Sequence, residues 1–272
     1  MDIRVRVLAS GSSGNSILVQ VDSRAILIDA GLPARLLSQH LAQHGVTSEN
    51  LDAIFVTHEH SDHIVGVPGI AKAFKALVVS NSATFAGAKF SAKTMSHHLE
   101  TGTTTDIGPL EVTSFAIPHD AADPVGYSIT CDGWTMCVCT DAGFDSPELD
   151  RYIAGADLAI VEANHDVDTL QRSTAYPAYL KQRILGKTGH LSNEQSANLV
   201  SRAFMQSPKQ RRWLWLAHLS KENNSPSLAL NHLTKRVAPP QPSQNVFVEV
   251  AAHHIPSLRW ESRRQFEQLR LF

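Results

Sequence analysis

Cysteine is scarce in this chain, with three in 272 residues. Cys131, Cys137 and Cys139 cannot all pair, and none stands in a C-x-x-C. That excludes a disulfide framework, and the three are read as reduced core residues of a cytoplasmic protein. Long hydrophobic runs are also missing. No apolar stretch reaches the roughly 18 residues a spanning helix needs, so no membrane partner is expected. The N-terminus, Met1-Asp2-Ile3-Arg4-Val5-Arg6-Val7-Leu8, alternates like a strand. It lacks the basic region, apolar stretch and cleavage site of a signal peptide. Neither sign of charge is in excess: 24 Lys plus Arg face 26 Asp plus Glu, a formal net charge of −2. The molecule as a whole is therefore not a basic nucleic-acid binder, and such binding would need a local patch. No internal repeat is visible. Linker-like composition is confined to Ala238-Pro239-Pro240-Gln241-Pro242-Ser243, read as a joint between a helix and the strand Asn245 to Val250.

What is present follows one pattern: a short apolar run, then a polar residue able to do chemistry. Ala25 to Ile28 ends in Asp29-Ala30-Gly31, and Ala53 to Val56 ends in a histidine cluster. Val112 to Ile117 leads to Pro118-His119-Asp120, and Thr135 to Val138 to Thr140-Asp141-Ala142-Gly143. Leu158 to Val161 leads to Glu162-Ala163-Asn164-His165-Asp166, and Trp213 to Leu216 to Ala217-His218. Short apolar runs of this kind are strands buried between layers. Polar residues at their ends collect at one sheet edge, where α/β proteins place their sites. Helical patterns cover Pro33 to His44, Val65 to Lys75, Asn193 to Met205 and Leu228 to Val237. Ser192 and Gln195 form a capping box for the third. The alternation predicts an α/β fold. The length suits a single domain over residues 1–272, with 255–272 as a surface helix or arm.

The strongest signal is Thr57-His58-Glu59-His60-Ser61-Asp62-His63. Imidazole and carboxylate ligands suit Zn, Mn or Fe. His58 and His60 lie two apart in an extended segment, so both can point the same way. Asp62 and His63 are adjacent where a helix should begin, and they leave the backbone in different directions. One segment can thus serve two neighbouring metals. The bland alternative is a solvated, His-rich loop.

This H-x-H-x-D-H segment resembles the signature of the metallo-β-lactamase superfamily. The resemblance implies a four-layer αβ/βα sandwich with two divalent metal ions per chain, Zn or Mn with Fe also fitting. Flavodiiron oxygen reductases resemble a pattern with a carboxylate at the second His; His60 stands there and favours hydrolysis. By resemblance the first metal takes His58, His60 and His119, the second takes Asp62, His63 and His218, and Asp141 bridges them. Asp62 is counted among the catalytic residues as well. His190 competes with His218 for the last ligand position. Asp29 resembles the family's early Asp, which orients a metal-binding His. The ion pair would activate water and stabilise charge on a carbonyl or phosphoryl oxygen, so hydrolysis is the default reaction.

Residues outside the metal set bear on the substrate. In Ser10-Gly11-Ser12-Ser13-Gly14-Asn15-Ser16, small residues let backbone N–H groups approach an anion, with Ser13 and Asn15 as expected substrate contacts. An ordinary Gly/Ser turn is the alternative. The pairing of Glu162 with Gly189-His190-Leu191-Ser192-Asn193 resembles that of the tRNA 3′-processing endonuclease, in which a Glu orients a His that protonates the leaving oxygen. Phosphodiester cleavage needs such a donor because an alkoxide leaves poorly. His165 has no assigned role. Six ordered motifs, ending in His218-Leu219-Ser220-Lys221-Glu222-Asn223-Asn224-Ser225-Pro226, resemble the bacterial WalJ/YycJ-like branch. That implies a cytoplasmic phosphodiesterase, with exonuclease action on DNA foremost and RNA as alternative substrate. A local basic track is conceivable over Lys181, Arg183 and Lys187, then Lys209, Arg211 and Arg212, then Arg259, Arg263 and Arg264, with Trp260 stacking on a base; a solvated charged face is the alternative. The pairs His97-His98 and His253-His254 lack strand-end placement and receive no role. Two rival readings remain: a small-molecule phosphodiesterase, thioesterase or lactonase on the same metals, and a non-catalytic metal-binding regulatory module.

Overall fold

The computed structural model describes residues 1–207, 209–237, 245–253 and 255–262. The chain divides into two compact units. The first holds Met1–Leu110, Ala121–Asp123 and the residues from Ala252 onward; the second holds Glu111–Asp120 and Pro124–Ala251.

The first unit begins with β1 (Ile3–Ala9), β2 (Ser16–Val21) and β3 (Arg24–Ile28), followed by α1 (Ala34–Gln43), β4 (Leu51–Phe55), α2 (Ser61–Ile64) and α3 (Val67–Phe74). It continues with β5 (Leu77–Ser80), α4 (Ser82–Gly87), β6 (Ser96–His98) and β7 (Thr104–Ile107). The second unit contributes β8 (Leu110–Ala116), β9 (Val125–Cys131), β10 (Trp134–Cys139), α5 (Pro147–Gly155), β11 (Leu158–Glu162), α6 (Val167–Arg172) and α7 (Ala178–Leu185). It closes with α8 (Asn193–Gln206), β12 (Arg211–Ala217), α9 (Pro226–Arg236) and β13 (Asn245–Val250); β14 (Arg259–Glu261) belongs to the first unit.

Both sheets are mixed, and they follow one plan. In the first unit the order is β14-β1-β2-β3-β4-β5-β6, antiparallel from β1 to β3 and parallel from β3 to β6. In the second, β8, β9 and β10 are antiparallel, and β10, β11, β12 and β13 are parallel. The runs read from the sequence are these strands, and β4 and β11 are almost continuously buried, as parallel strands covered on both faces must be. Helices α1 and α3 bury Leu37, Leu41, Val67 and Ile70 with Leu27, Ile54 and Val78. Helices α5, α8 and α9 bury Leu149, Ile153, Leu199, Val200, Phe204 and Leu233 with Val161 and Leu214. Each such side chain contributes roughly 1.5–3 kcal/mol on leaving water. The capping box of α8 is present: Ser192 Oγ accepts from Gln195 N at 3.2 Å, and Gln195 Oε1 accepts from Ser192 N at 2.9 Å.

Three expectations need correction or restriction. In the tail, Arg259–Glu261 pairs antiparallel with β1, and Trp260 is buried, so it cannot stack on a base; most of the segment expected as a surface helix or arm lies outside the described residues. His97 and His98 lie on a strand after all, at the edge of the sheet, where His97 meets Thr105 Oγ1 and His98 meets Ser82 Oγ. The segment Ala238 to Ser243, His254, and Arg263, Arg264 and Arg270 lie outside the described residues. Among the described residues no helix is long and apolar enough to cross a membrane. Cys131, Cys137 and Cys139 are free and buried, and burial pushes the Cys137 and Cys139 thiols up, away from reactivity.

Candidate metal centre

In the first unit, β3 delivers Asp29 and β4 delivers the His-rich segment. Asp29 is fixed in a left-handed backbone conformation (φ 58°) and is buried. Its carboxylate accepts from Thr57 N at 2.8 Å, Thr57 Oγ1 at 2.9 Å and His63 Nδ1 at 2.7 Å. Thr57 Oγ1 in turn lies 3.1 Å from His58 Nδ1. The rings of His58 and His60 lie 4.6 Å apart and those of His58 and His63 4.1 Å apart, so the segment gathers its imidazoles as the spacing predicts. Gly31 is required here: a Cβ would run into the backbone carbonyl of Asp62. Asn15 is buried with its amide turned inward. It binds the Gly11 backbone through both side-chain atoms and reaches Asp62 Oδ2 at 3.3 Å and His63 Nε2 at 3.1 Å. Ser13 sits at the exposed tip of the same turn.

In the second unit, four strand ends and one loop supply the cluster. Asp141 (φ 60°) follows β10, Glu162 ends β11, His218 (φ 55°) follows β12, His119 follows β8 and His190 precedes α8. Strained left-handed residues at such positions cost about 1–3 kcal/mol each and are concentrated at functional sites. Glu162 organises the cluster. Its Oε1 accepts from His190 Nδ1 at 2.9 Å and His218 Nδ1 at 2.7 Å, and its Oε2 accepts from Ala142 N and Leu191 N, each at 3.0 Å. Burial favours a protonated Glu162, but the adjoining His190 and His218 outweigh it and hold the carboxyl well below the usual range. His119 Nδ1 meets the Gly189 carbonyl at 3.0 Å, and burial lowers its pKa, favouring the neutral imidazole that binds metal.

The residues fit divalent metal. His63, His119, His190 and His218 each have Nδ1 on a carboxylate or carbonyl. That arrangement fixes the proton on Nδ1 and leaves the Nε2 lone pair for a ligand, as in metal sites generally. One ligand-type atom from each of Asp141, Glu162, His190 and His218 falls within 4.8 Å of the others. The close atoms on the two histidines are those bound to Glu162, however, so Glu162 acts as the organiser of this group rather than as a ligand. The same carboxylate therefore holds two unlike imidazoles: the His218 side chain is 1% exposed, the His190 side chain 19%.

The sequence did not show that Glu162 serves two histidines, that Thr57 links Asp29 to two more, or that Asn15 faces inward. The strand-end position of Glu162 and the Thr that opens the His-rich segment were the available signals. His165 is 1% exposed, and neither ring nitrogen has a hydrogen-bond partner among the described residues; burial pushes its pKa down to about 4. The basic track largely dissolves. Arg183 pairs with Asp120, Lys209 with Asp157, and Arg212 is buried over the ring of Phe204.

The sequence matches the family described as "Beta-lactamase superfamily domain" over residues 24–207. It is 40% identical over 234 residues, 84% of this chain and 85% of the relative, to exodeoxyribonuclease WalJ of Streptococcus pneumoniae. It is 34% identical over 240 residues, 84% of this chain and 87% of the relative, to exodeoxyribonuclease YycJ of Bacillus anthracis. The fold matches the metallo-β-lactamase fold protein YhfI of Bacillus subtilis with a TM-score of 0.72 at 18% identity, covering 96% of this chain and 99% of that one. The chain belongs to the metallo-β-lactamase superfamily and falls in its WalJ/YycJ-like branch. It is a metal-dependent hydrolase with the family's α/β sandwich fold.

Proposed function

We propose that this chain is an exonuclease that hydrolyses phosphodiester bonds of DNA with two divalent ions, Zn or Mn, with Fe also compatible. The identity to WalJ and YycJ over most of both chains supports the reading. The observation that carries the phosphodiester chemistry is the single carboxylate of Glu162 shared by a buried His218 and a more open His190. That difference supports His218 as a metal ligand and His190 as the group that meets substrate. The ligands are then His58, His60 and His119 for one ion, Asp62, His63 and His218 for the other, and Asp141 for both. Because the family match runs from residue 24 to residue 207, through both units, we take residues 1–272 as a single domain. The free, buried cysteines accord with a cytoplasmic location.

Bound ions of this kind lower the pKa of water and balance charge on the phosphoryl oxygen. The protein does the rest. Asp29 and Glu162 hold His63 and His218 in the tautomer with the proton on Nδ1. Ser13 and Asn15 are the substrate contacts of the Ser10 to Ser16 loop, with Asn15 braced on the Gly11 backbone. In the acid role His190 acts as the imidazolium: Nδ1–H stays on Glu162, the second proton passes from Nε2 to the departing alkoxide, and the ring is left neutral. His190→Ala should therefore lower the rate on DNA by roughly 10²–10⁴-fold while bis-p-nitrophenyl phosphate, whose leaving group needs no proton, is hardly affected. Equal losses on both would remove His190 from the acid role. A panel of end-labelled DNA, RNA, bis-p-nitrophenyl phosphate and a lactone tests the substrate class, and turnover of the lactone alone would return the chain to the small-molecule reading.

A further inference from the structure

We propose that a lysine-lined cleft on the first unit binds the phosphates of the DNA strand beyond the scissile bond. The proposal rests on DNA being the substrate. The cleft has a volume of about 520 Å³ and is lined by Lys72, Lys75 and Lys93 with no carboxylate among its lining residues. Several other cations carry a carboxylate partner: Arg6 and Arg259 share Glu261, Arg24 meets Asp52, Arg183 meets Asp120, Arg202 meets Asp145 and Asp150, and Lys209 meets Asp157. The three cleft lysines make no ion pair among the described residues. In a chain of net charge −2, three unpaired cations around one concavity form the local patch that the overall composition does not supply.

The surroundings suit a polynucleotide. Ser91 and Thr94 add hydroxyl groups beside the lysines, and Pro68, Ala71 and Met95 give an apolar floor against which sugars and bases can lie. Lys75 closes α3 in the left-handed conformation (φ 54°), a position that glycine takes with less strain. The cleft lies toward the C-terminal end of the helix that follows the His-rich segment. Helix α3 starts four residues after His63 and spans eight residues, about 12 Å at 1.5 Å per residue. At about 3.4 Å per nucleotide of a stacked strand, that is roughly four nucleotides. Contacts in the cleft thus tighten binding of a strand and do nothing for a dinucleotide.

The test replaces Lys72, Lys75 and Lys93 together by Gln in the full chain, loaded with Mn²⁺. Steady-state hydrolysis is followed on a single strand of about 20 nucleotides, a dinucleotide and bis-p-nitrophenyl phosphate across a salt series. On the long strand KM should rise about tenfold or more, and the slope of log KM against log salt should flatten by about two, since each lost phosphate contact removes roughly 0.7. The dinucleotide and bis-p-nitrophenyl phosphate should keep wild-type kinetics. An unchanged KM and salt slope on the long strand would overturn the cleft, as would equal losses on all three substrates. Displacement of the long strand by inorganic phosphate at matched charge concentration would also overturn it, by making the cleft a small-anion site. Failure of the DNA reading looks different: wild-type protein would then turn over bis-p-nitrophenyl phosphate and neither cleave nor bind the strand.

Discussion

The two units answer the same structural problem with the same tripeptide. In the first, β3 ends in Asp29-Ala30-Gly31; in the second, β10 ends in Asp141-Ala142-Gly143. Both aspartates take a left-handed conformation, with φ of 58° and 60°. Both glycines lie against a backbone carbonyl, that of Asp62 for Gly31 and that of Lys187 for Gly143, where a Cβ could not fit. The roles then diverge. Asp29 is the organising carboxylate of its unit, accepting from Thr57 and His63. On the proposed assignment Asp141 is left for metal, because Glu162, one strand further on, takes two imidazoles and two backbone amides of the second unit. A shared local structure thus carries a holder in one unit and, on that assignment, a ligand in the other.

If this division of labour is right, Glu162→Gln should have the largest effect. Four donors converge on the two oxygens of Glu162, and a glutamine can accept at only one of them. Two donors are stranded whichever way the amide turns, at about 1–3 kcal/mol each. With the amide nitrogen turned toward the imidazoles, His190 and His218 lose their fixed tautomer together, and retained metal and turnover should fall about 100-fold or more. Elemental analysis after dialysis, with bis-p-nitrophenyl phosphate turnover, reads both. A loss no greater than that of Asp29→Asn would break the comparison.

The contrast also explains what could be read without coordinates. The first unit's ligands are contiguous, so His58, His60, Asp62 and His63 are legible from spacing alone. The second unit's candidate residues come one from each strand end, and only the parallel order β10-β11-β12 places Asp141, Glu162 and His218 side by side. Sequence reasoning could name the positions and favour His218 over His190 as ligand, but the difference in burial between the two imidazoles is visible only in the fold. The shared sheet plan was equally hidden: beyond Asp-Ala-Gly, the two units repeat strand directions and not residues. The charged track failed for a related reason. Lys209 and Arg183 are far in sequence from Asp157 and Asp120, which neutralise them, while Lys72, Lys75 and Lys93 looked unremarkable as a series.

A further test concerns acid. The second unit carries His165, whose pKa is pushed down to about 4 chiefly by burial. The unfolded chain binds this proton near 6.5 and the folded chain only near 4. Stability from keeping the ring neutral is therefore complete above about pH 6.5 and is lost as pH falls toward 4, on the order of 3 kcal/mol in all. His165→Phe, similar in volume and without a titrating group, should abolish that part of the slope. Urea unfolding of both proteins at a series of pH values, with chelator present throughout, compares them free of metal linkage. Parallel curves for variant and wild type would show that His165 does not set the acid limit of the second unit.

The smallest effect should come from Asp29→Asn, and its size measures how unequal the two holders are. Asparagine tolerates the left-handed backbone, so no strain is added. Its amide oxygen can still accept from Thr57 N, which keeps the turn closed. What is lost is the acceptor for His63 Nδ1 and Thr57 Oγ1 together, since the amide nitrogen can only donate. His63 is then free to move its proton to Nε2, where it would block metal binding. Metal affinity should drop about 10–100-fold, the usual range for removing one such partner. Only one imidazole is involved, and His58 keeps its contact with Thr57 Oγ1. Titration of metal-free protein with Zn²⁺ or Mn²⁺ would read the shift directly. A drop equal to that of Glu162→Gln would mean that the two units depend on their carboxylates alike, and that the number of imidazoles held does not matter.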